Sequence, residues 1–172
     1  MKANLVYLRP LRVAYVRSVG PYAQSSAEAW ARMFDWLNDN SLHSLPGCGY
    51  GLLLDNHLVT DPDKCRYDAC VEVSSVPENR AEGSLQVRNL PGGAYVRDRY
   101  RGCYLQMREK ILSVRQDWSN DSDLVLDDRR PIVHIFMDDP RRGNADQLRS
   151  DFCIPVIASL TGEPSNDHGT AN

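Results

Sequence analysis

Apolar and polar residues alternate in two stretches of the chain that share the same four letters. Residues 14–17 read Ala-Tyr-Val-Arg, and residues 94–97 repeat them 80 positions later. Each copy lies in a segment rich in Val and Tyr, residues 11–19 and 93–100, with the length and composition of a β-strand. The pattern therefore predicts one strand at each place.

A helical period of apolar residues follows each of these strands. The first set is Ala27, Trp30, Phe34 and Leu37, and the second, spaced three, four, three and four, is Tyr104, Met107, Ile111, Val114 and Trp118. Residues with this spacing share one face of a helix. Both sets predict a helix that packs its apolar face on a sheet.

Two further strands are predicted after each helix, at residues 50–55 and 67–73, and at 131–137 and 151–156. The links between them, residues 56–66 and 138–149, hold Pro, Asp, Asn or Gly and are typical of exposed loops.

Strand alternation divides the side chains of these strands between two sides. Ala69, Val71 and Val73 share one side, as do Phe152, Ile154 and Val156, and we expect the helices to cover it. The other side mixes polar and small residues, namely Asp68, Cys70 and Glu72 with Asp151, Cys153 and Pro155. We expect this mixed side to face the pseudo-twofold axis or solvent. If the copies meet along their strands, the mixed sides form one concave surface at the seam, where a ligand often binds. Ile132, His134 and Phe136 share a side of their strand.

The two halves match in order over their whole length. Gly20, Tyr22 and Asp35-Trp36 recur 82 positions later, and Asp55, Arg66, Asp68, Cys70 and Val73 recur 83 positions later. Such an ordered set predicts a tandem duplication. The predicted fold is α+β, with two β-α-β-β modules related by a pseudo-twofold axis around a central ligand cleft. The predicted domain is residues 1–157, with repeats at about 10–75 and 84–157 and a disordered tail at 158–172.

Composition narrows the class of function. The net charge is −3 and the basic residues are scattered, whereas a nucleic-acid binder carries a basic stripe, so we expect no direct nucleic-acid binding. The five cysteines are odd in number and form no CxxC pair, which favours reduced thiols and a cytoplasmic location. No apolar run has the length of a signal peptide or a membrane helix. No nucleophile elbow or metal-ligand spacing occurs, so no catalytic residue, metal or cofactor is predicted.

The order of the motifs resembles the GyrI-like superfamily. These motifs include Tyr-Val-Arg-x-x-Gly-Pro-Tyr from Tyr15, Arg-Tyr-Asp-Ala-Cys-Val-Glu-Val from Arg66, and Leu-Pro-Gly-Gly-Ala-Tyr-Val from Leu90. The superfamily includes effector-binding domains of AraC-type and MerR-type regulators and stand-alone DNA gyrase inhibitory proteins. The resemblance covers about residues 10–157. It implies two β-α-β-β modules with a cleft that, in several relatives, holds hydrophobic cations between aromatic walls and a buried glutamate.

Two positions depart from that family pattern. The family places a glutamate six residues ahead of the proline of its Asp-Pro motif, and here that position is His134, ahead of Pro140. Phe136 stands where the family usually has tyrosine. Both cation binding and the hydrolysis found in a minority of relatives depend on that glutamate.

Seven residues are the candidate ligand contacts. His134 would donate or accept a hydrogen bond, and Glu72 is the best substitute for the missing glutamate. The aromatic candidates, which offer flat walls for a ligand, are Phe136, Trp118, Tyr95, Tyr15 and Tyr50.

Three functions remain open from the sequence. The first is a binding module for a lipophilic small molecule, neutral or cationic. The second is a protein-interaction inhibitor of the DNA gyrase type, and the third is a hydrolase that acts on a reactive small molecule in the same cleft. We expect no helix-turn-helix, because only about ten residues precede the first repeat strand, so any DNA-binding regulator would be a separate protein.

Overall fold

The computed structural model describes residues 4–76, 85–104 and 124–158. These residues form one α-helix, α1 (Tyr22–Asp39), and nine β-strands. The strands are β1 (Asn4–Leu8), β2 (Leu11–Val19), β3 (Gly49–Leu53), β4 (Arg66–Glu72), β5 (Gln86–Leu90), β6 (Gly93–Arg101), β7 (Leu124–Leu126), β8 (Ile132–Phe136) and β9 (Arg149–Ala158). The predicted α+β class and the six predicted strands are confirmed.

All strand pairs are antiparallel, and eight strands follow one path in the order β1-β6-β9-β8-β3-β4-β2-β5. The ninth strand, β7, pairs with β9. The pair β3–β8 lies at the middle of this order, and in its register Gly51 stands opposite His134. The middle of the sheet therefore brings the two halves of the sequence side by side.

Helix α1 packs its apolar face on one side of the sheet. Its buried residues include Ala29, Met33 and Leu37, which join a hydrophobic cluster with Ala69 and Val71 of β4. This confirms the expectation that the first helix covers the Ala69–Val71 side. We call this side the helix-side face; it also carries Leu53, Ile132, His134, Phe136 and Phe152. The second predicted helix begins at Tyr104, and its remaining residues lie outside the described part of the chain.

The opposite face of the sheet has its own hydrophobic cluster and a buried ion pair. The cluster comprises Val13, Leu52, Cys70, Leu90, Tyr95, Val133 and Cys153. Beside it, the fully buried carboxylate of Asp68 accepts hydrogen bonds from Arg17 Nε at 2.7 Å and Arg88 Nη1 at 2.9 Å. A buried carboxylate requires such partners, because its dehydration is otherwise uncompensated.

Two arginine–aspartate pairs fasten the starts of β4 and β9. Arg66 binds the Asp55 carboxylate through its backbone N–H and through two side-chain nitrogens, and Arg149 binds Asp138 in the same way. The hydrogen bonds from Arg149 differ in length by at most 0.1 Å from those of Arg66. Both pairs therefore fix the start of a strand.

The sequence patterns did not predict β1, β5 or β7. Strand β1 pairs with β6, and β5 pairs with β2, so each adds to an end of the sheet that belongs to the other half of the chain. Strand β9 ends at residue 158, and the rest of the predicted disordered tail lies outside the described residues. Residues 77–84, between the two predicted repeats, also lie outside them. The described helix α1 is not apolar enough to cross a membrane.

Candidate ligand-binding site

An apolar cavity of about 360 Å³ lies between α1 and the helix-side face. Five aromatic residues dominate its wall: Trp30 and Phe34 from α1, Tyr67 from β4, Phe136 from β8, and Tyr104 just after β6. The other lining residues are Ser26, Ala27, Leu45, Cys103, Pro140, Ala145 and Leu148. None of these twelve residues is Asp, Glu, Lys, Arg or His.

Two glycines of β3 allow the rings to lie directly on the sheet. A Cβ added to Gly51 would stand 2.0 Å from the Tyr67 hydroxyl oxygen, and one added to Gly49 would stand 2.7 Å from Trp30. No real Cβ fits at these distances. The Gly-Tyr-Gly sequence of β3 therefore lets Trp30 and Tyr67 pack into the space that side chains would otherwise fill.

The polar atoms of the aromatic wall already have partners inside the protein. Trp30 Nε1 donates a hydrogen bond of 2.9 Å to the Tyr67 hydroxyl, and the Tyr104 hydroxyl donates one of 2.7 Å to the backbone oxygen of Arg149. Burial raises the pKa of Tyr104 to about 12 and that of Tyr67 further still. Both phenols are therefore uncharged at neutral pH, and this part of the wall offers mainly apolar surface.

His134 lies directly behind this wall. Its ring centroid is 4.0 Å from that of Phe136, 4.9 Å from that of Phe152 and 5.9 Å from that of Tyr104. The residue is 3% exposed, and its Nε2 has no hydrogen-bond partner among the described residues. Burial lowers the pKa of His134 to about 3, so the imidazole is neutral at physiological pH.

An ion pair holds the loop at the edge of the cavity. The Asp139 carboxylate accepts hydrogen bonds from the backbone N–H of Leu45 at 2.7 Å and from Arg141 at 2.7 and 3.0 Å. The Arg141 guanidinium in turn lies 4.4 Å from the centroid of the Phe34 ring. Burial opposes ionisation of Asp139, but these hydrogen bonds keep its pKa below the usual value. The loop is thereby tied to α1 and to the segment that precedes β3.

The structure does not bring the seven sequence-predicted contacts together. Phe136 lines the cavity and His134 lies behind it, both on the helix-side face. Trp118 lies outside the described residues. The other four candidates lie on the opposite face, because their side chains are on the same side of the sheet as Val13, Leu52 and Cys70. These four are Tyr15, Tyr50, Tyr95 and Glu72.

The expected cleft on the mixed side of the strands stays a prediction, and the apolar cavity is a second candidate on the other face. Alternation places Asp68, Cys70 and Glu72 on the opposite face, while the apolar cavity lies on the face that α1 covers.

The four residues on the opposite face have structural contacts of their own. Tyr95 is fully buried, donates a hydrogen bond of 3.2 Å to the backbone oxygen of Pro91, and has Arg130 over its ring. Tyr15 has the guanidinium of Arg17 at 5.3 Å from its centroid. Burial raises the pKa of Tyr50 to about 12, and Glu72 is half-buried at the end of β4.

A second, polar cavity of about 520 Å³ lies on the opposite face. Its lining residues are Tyr15, Arg17, Leu54, Arg66, Arg88, Asn89, Asp128, Arg129 and Pro131. Each of the four arginines already pairs with an aspartate: Arg17 and Arg88 with Asp68, Arg66 with Asp55, and Arg129 with Asp127. These pairs neutralise most of the charge that the arginines bring to this cavity.

Sequence reasoning missed most of the cavity wall. Trp30, Phe34 and Tyr104 were visible as helical stripes, but a stripe does not tell a core contact from a cavity wall. Leu45, Pro140, Ala145 and Leu148 come from connecting segments whose path no periodicity predicts. The alternating glycines of β3, residues 49 and 51, were the available signal, because glycine in a strand often marks a close approach.

The described residues contain no group of three His, Cys, Asp or Glu side chains placed to hold a metal ion. All five cysteines lie within the described residues and are unbridged. Cys65, Cys70 and Cys153 are buried, while Cys48 and Cys103 are half-buried.

Comparisons with known proteins bear on the fold. A sequence model described as the GyrI-like small molecule binding domain matches residues 1–157. Among solved structures, the EcmrR C-terminal domain has a TM-score of 0.65 at 16% identity, with 91% of this chain and 98% of that chain covered. SAV2435, solved bound to tetraphenylphosphonium, has a TM-score of 0.61 at 17% identity, with 91% and 94% covered. The chain covers 57% of the EcmrR chain in its complex with DNA (TM-score 0.67, 16% identity, 91% of this chain). No curated protein matches the sequence.

Proposed function

The chain belongs to the GyrI-like small molecule binding domain family, and we propose that it binds a lipophilic small molecule in the cavity between α1 and the helix-side face. The chemistry of the cavity wall carries this proposal: five aromatic residues with aliphatic neighbours, whose indole and phenol groups hydrogen-bond within the protein itself. Its volume of about 360 Å³ falls in the range typical of ligand pockets.

The cavity lies between the two halves of the sequence, which fits a cleft between repeats. Six lining residues come from the first proposed repeat, residues 10–75, and the other six come from the second, residues 84–157. The two sets are Ser26, Ala27, Trp30, Phe34, Leu45 and Tyr67, and Cys103, Tyr104, Phe136, Pro140, Ala145 and Leu148.

The proposal includes a tandem duplication with a pseudo-twofold axis between β3 and β8. The Arg66–Asp55 and Arg149–Asp138 pairs support it, because both residues of each pair are 83 positions apart from their counterparts and make the same hydrogen bonds. Gly51 and His134 are also 83 positions apart, and they face each other in the register of β3 and β8. A twofold axis would pass between two such equivalent positions.

A structural neighbour adds support of a general kind. SAV2435 was solved with tetraphenylphosphonium, a molecule of four phenyl rings, so a protein of this fold accommodates a bulky aromatic ligand. In the present chain, a lipophilic ligand that fills the cavity gains about 25 cal/mol per Å² of buried apolar surface. After the cost of lost freedom, an affinity in the micromolar range, about −8 kcal/mol, is expected.

A fluorescence titration with N-phenyl-1-naphthylamine, an uncharged probe that brightens in apolar surroundings, tests the proposal. The variant Ala27→Trp places a large ring in the cavity from an exposed helix position, so little stability is lost. We expect it to weaken probe binding by about tenfold or more, since the ring occupies the volume that the probe needs.

The matched control is Asp35→Trp, which adds the same ring at an exposed position of α1 that does not line the cavity. We expect its affinity to stay close to that of the wild type. Equal binding by wild type, Ala27→Trp and Asp35→Trp would place the probe elsewhere and would refute the proposed site.

A further inference from the structure

The described wall of the cavity offers no counter-charge to a bound ion. Its only heteroatom side chains are the phenols of Tyr67 and Tyr104, the Trp30 indole, the Ser26 hydroxyl and the Cys103 thiol. The nearby ionic groups at its edge, Asp139 and Arg141, hold each other through two hydrogen bonds. Among the described residues, a charge on a ligand would therefore meet only dipoles and aromatic rings.

His134 places a neutral polar group beneath the centre of that wall. Its ring touches those of Phe136 and Tyr104, and its unpartnered Nε2 is buried. Ser150 supports the same picture, because it is 1% exposed, stands opposite Phe136 in the β8–β9 register, and also has an unpartnered side-chain oxygen. The polar groups behind the wall are thus neutral hydrogen-bonding groups.

The aromatic rings compensate for this missing charge only in part. A cation that enters an apolar cavity loses its hydration, and cation–π contacts replace part of that loss, whereas an uncharged isostere has no such hydration to lose. One face of the Phe34 ring, moreover, is already occupied by the Arg141 guanidinium.

We infer that this cavity selects uncharged lipophilic molecules and discriminates against organic cations of the same shape, because His134 supplies a neutral polar group and the described wall holds no carboxylate. The inference rests on the proposed function and specifies the class of ligand. It differs from the cation preference that the family resemblance implies.

Two isosteric probes test the inference. Trimethyl(naphthalen-2-yl)ammonium and 2-tert-butylnaphthalene have the same shape and differ in one positive charge. Each is titrated as a competitor of N-phenyl-1-naphthylamine against wild type, His134→Glu and His134→Gln. We expect the wild type to bind the uncharged probe about tenfold more tightly or better.

His134→Glu would add a carboxylate behind Phe136, so we expect the preference to shift toward the cation by about tenfold or more. His134→Gln keeps a neutral polar group, so we expect it to retain the wild-type preference. If His134→Glu does not fold, the wild-type ratio decides by itself. Equal or tighter binding of the cation by the wild type would overturn the inference while leaving the proposed site intact. If neither probe displaces N-phenyl-1-naphthylamine, or if Ala27→Trp leaves both affinities unchanged, the proposed function itself fails.

Discussion

The helix-side face and the opposite face belong to the same strands, but their buried polar groups differ in charge and in hydrogen bonding. On the opposite face, the carboxylate of Asp68 is fully buried and is held by two arginines, Arg17 and Arg88. On the helix-side face, His134 is buried without a hydrogen-bond partner at Nε2, beside a cavity whose described wall is uncharged.

This difference separates stability from binding. On the opposite face, Asp68, Asp55 and Asp127 pair with the arginines of the polar cavity and leave little charge for a ligand, while Arg97 Nε is buried without a hydrogen-bond partner among the described residues. The helix-side face leaves both volume and an unpartnered polar atom, which a folded protein rarely retains without use. Substitutions on each face test whether the two faces are independent in this way.

Removal of the buried charge on the opposite face should give the largest loss of stability. Asp68→Asn leaves Arg17 and Arg88 without their shared carboxylate, so we expect the free energy of unfolding to fall by about 3 kcal/mol. Urea denaturation measures this change. Asp55→Asn, which breaks a more exposed pair with Arg66, should cost about 1 kcal/mol or less.

The same variant also tests the separation of the faces. We expect folded Asp68→Asn to bind N-phenyl-1-naphthylamine within about twofold of the wild type, because distant sites act nearly independently. If Asp68→Asn is fully folded and still shows a large loss of affinity for the probe, the two faces are coupled.

The neutral state of His134 should appear in the pH dependence of stability. The unfolded chain takes up a proton on this histidine below a pKa of about 6.5, whereas the folded chain, with a pKa of about 3, does not. Stability conferred by the depressed pKa is therefore present above pH 6.5 and is lost as the pH falls. Between pH 6.5 and 5, the wild type should lose about 2 kcal/mol more than His134→Gln. Parallel stability curves for the two proteins over this range would contradict a buried neutral imidazole.

The close approach of Tyr67 to β3 predicts a clash in Gly51→Ala. The added methyl group overlaps the Tyr67 hydroxyl, so we expect a loss of about 2 kcal/mol in the free energy of unfolding. The double variant Gly51→Ala/Tyr67→Phe should recover part of this loss, because the overlapping oxygen is gone. Strict additivity of the two changes would show that Tyr67 moves away without cost.

Loss of the hydrogen bond between Trp30 and Tyr67 should have the smallest effect. Tyr67→Phe removes the oxygen that accepts from Trp30 Nε1 at 2.9 Å, and we expect a cost of about 1 kcal/mol. Trp30→Phe removes the donor and serves as the matched variant. A loss well above that size in Tyr67→Phe would indicate that the cavity wall collapses.

The sequence predicted the sheet better than it predicted the site. The Val- and Tyr-rich segments and the strands predicted after each helix placed six strands correctly, because composition and alternation are local properties. The sequence patterns did not predict strands β1 and β5, because each is short and is stabilised by pairing with a strand from the other half of the chain.

The wall of the cavity depended on long-range packing. The mixed composition of Asp68, Cys70 and Glu72 suggested a ligand surface, but the alternation pattern alone could not show that Asp68 lies between two arginines. Phe136 and His134 were identified through the family resemblance and lie at the helix-side cavity and behind its wall. The loop residues Leu45 and Pro140 line the cavity where the backbone N–H of Leu45 donates to Asp139, a hydrogen bond that joins segments far apart in sequence.

We propose that a ligand binds on the helix-side face, and a crystal structure with 2-bromonaphthalene would show the face directly. Anomalous scattering locates the bromine atom without prior assumptions about the site. We predict one strong bromine peak between α1 and β8, in contact with Trp30 and Phe136, and we expect this peak to be lost in Ala27→Trp crystals. A peak confined to the opposite face, beside Tyr15 and Arg88, would contradict binding at the helix-side face.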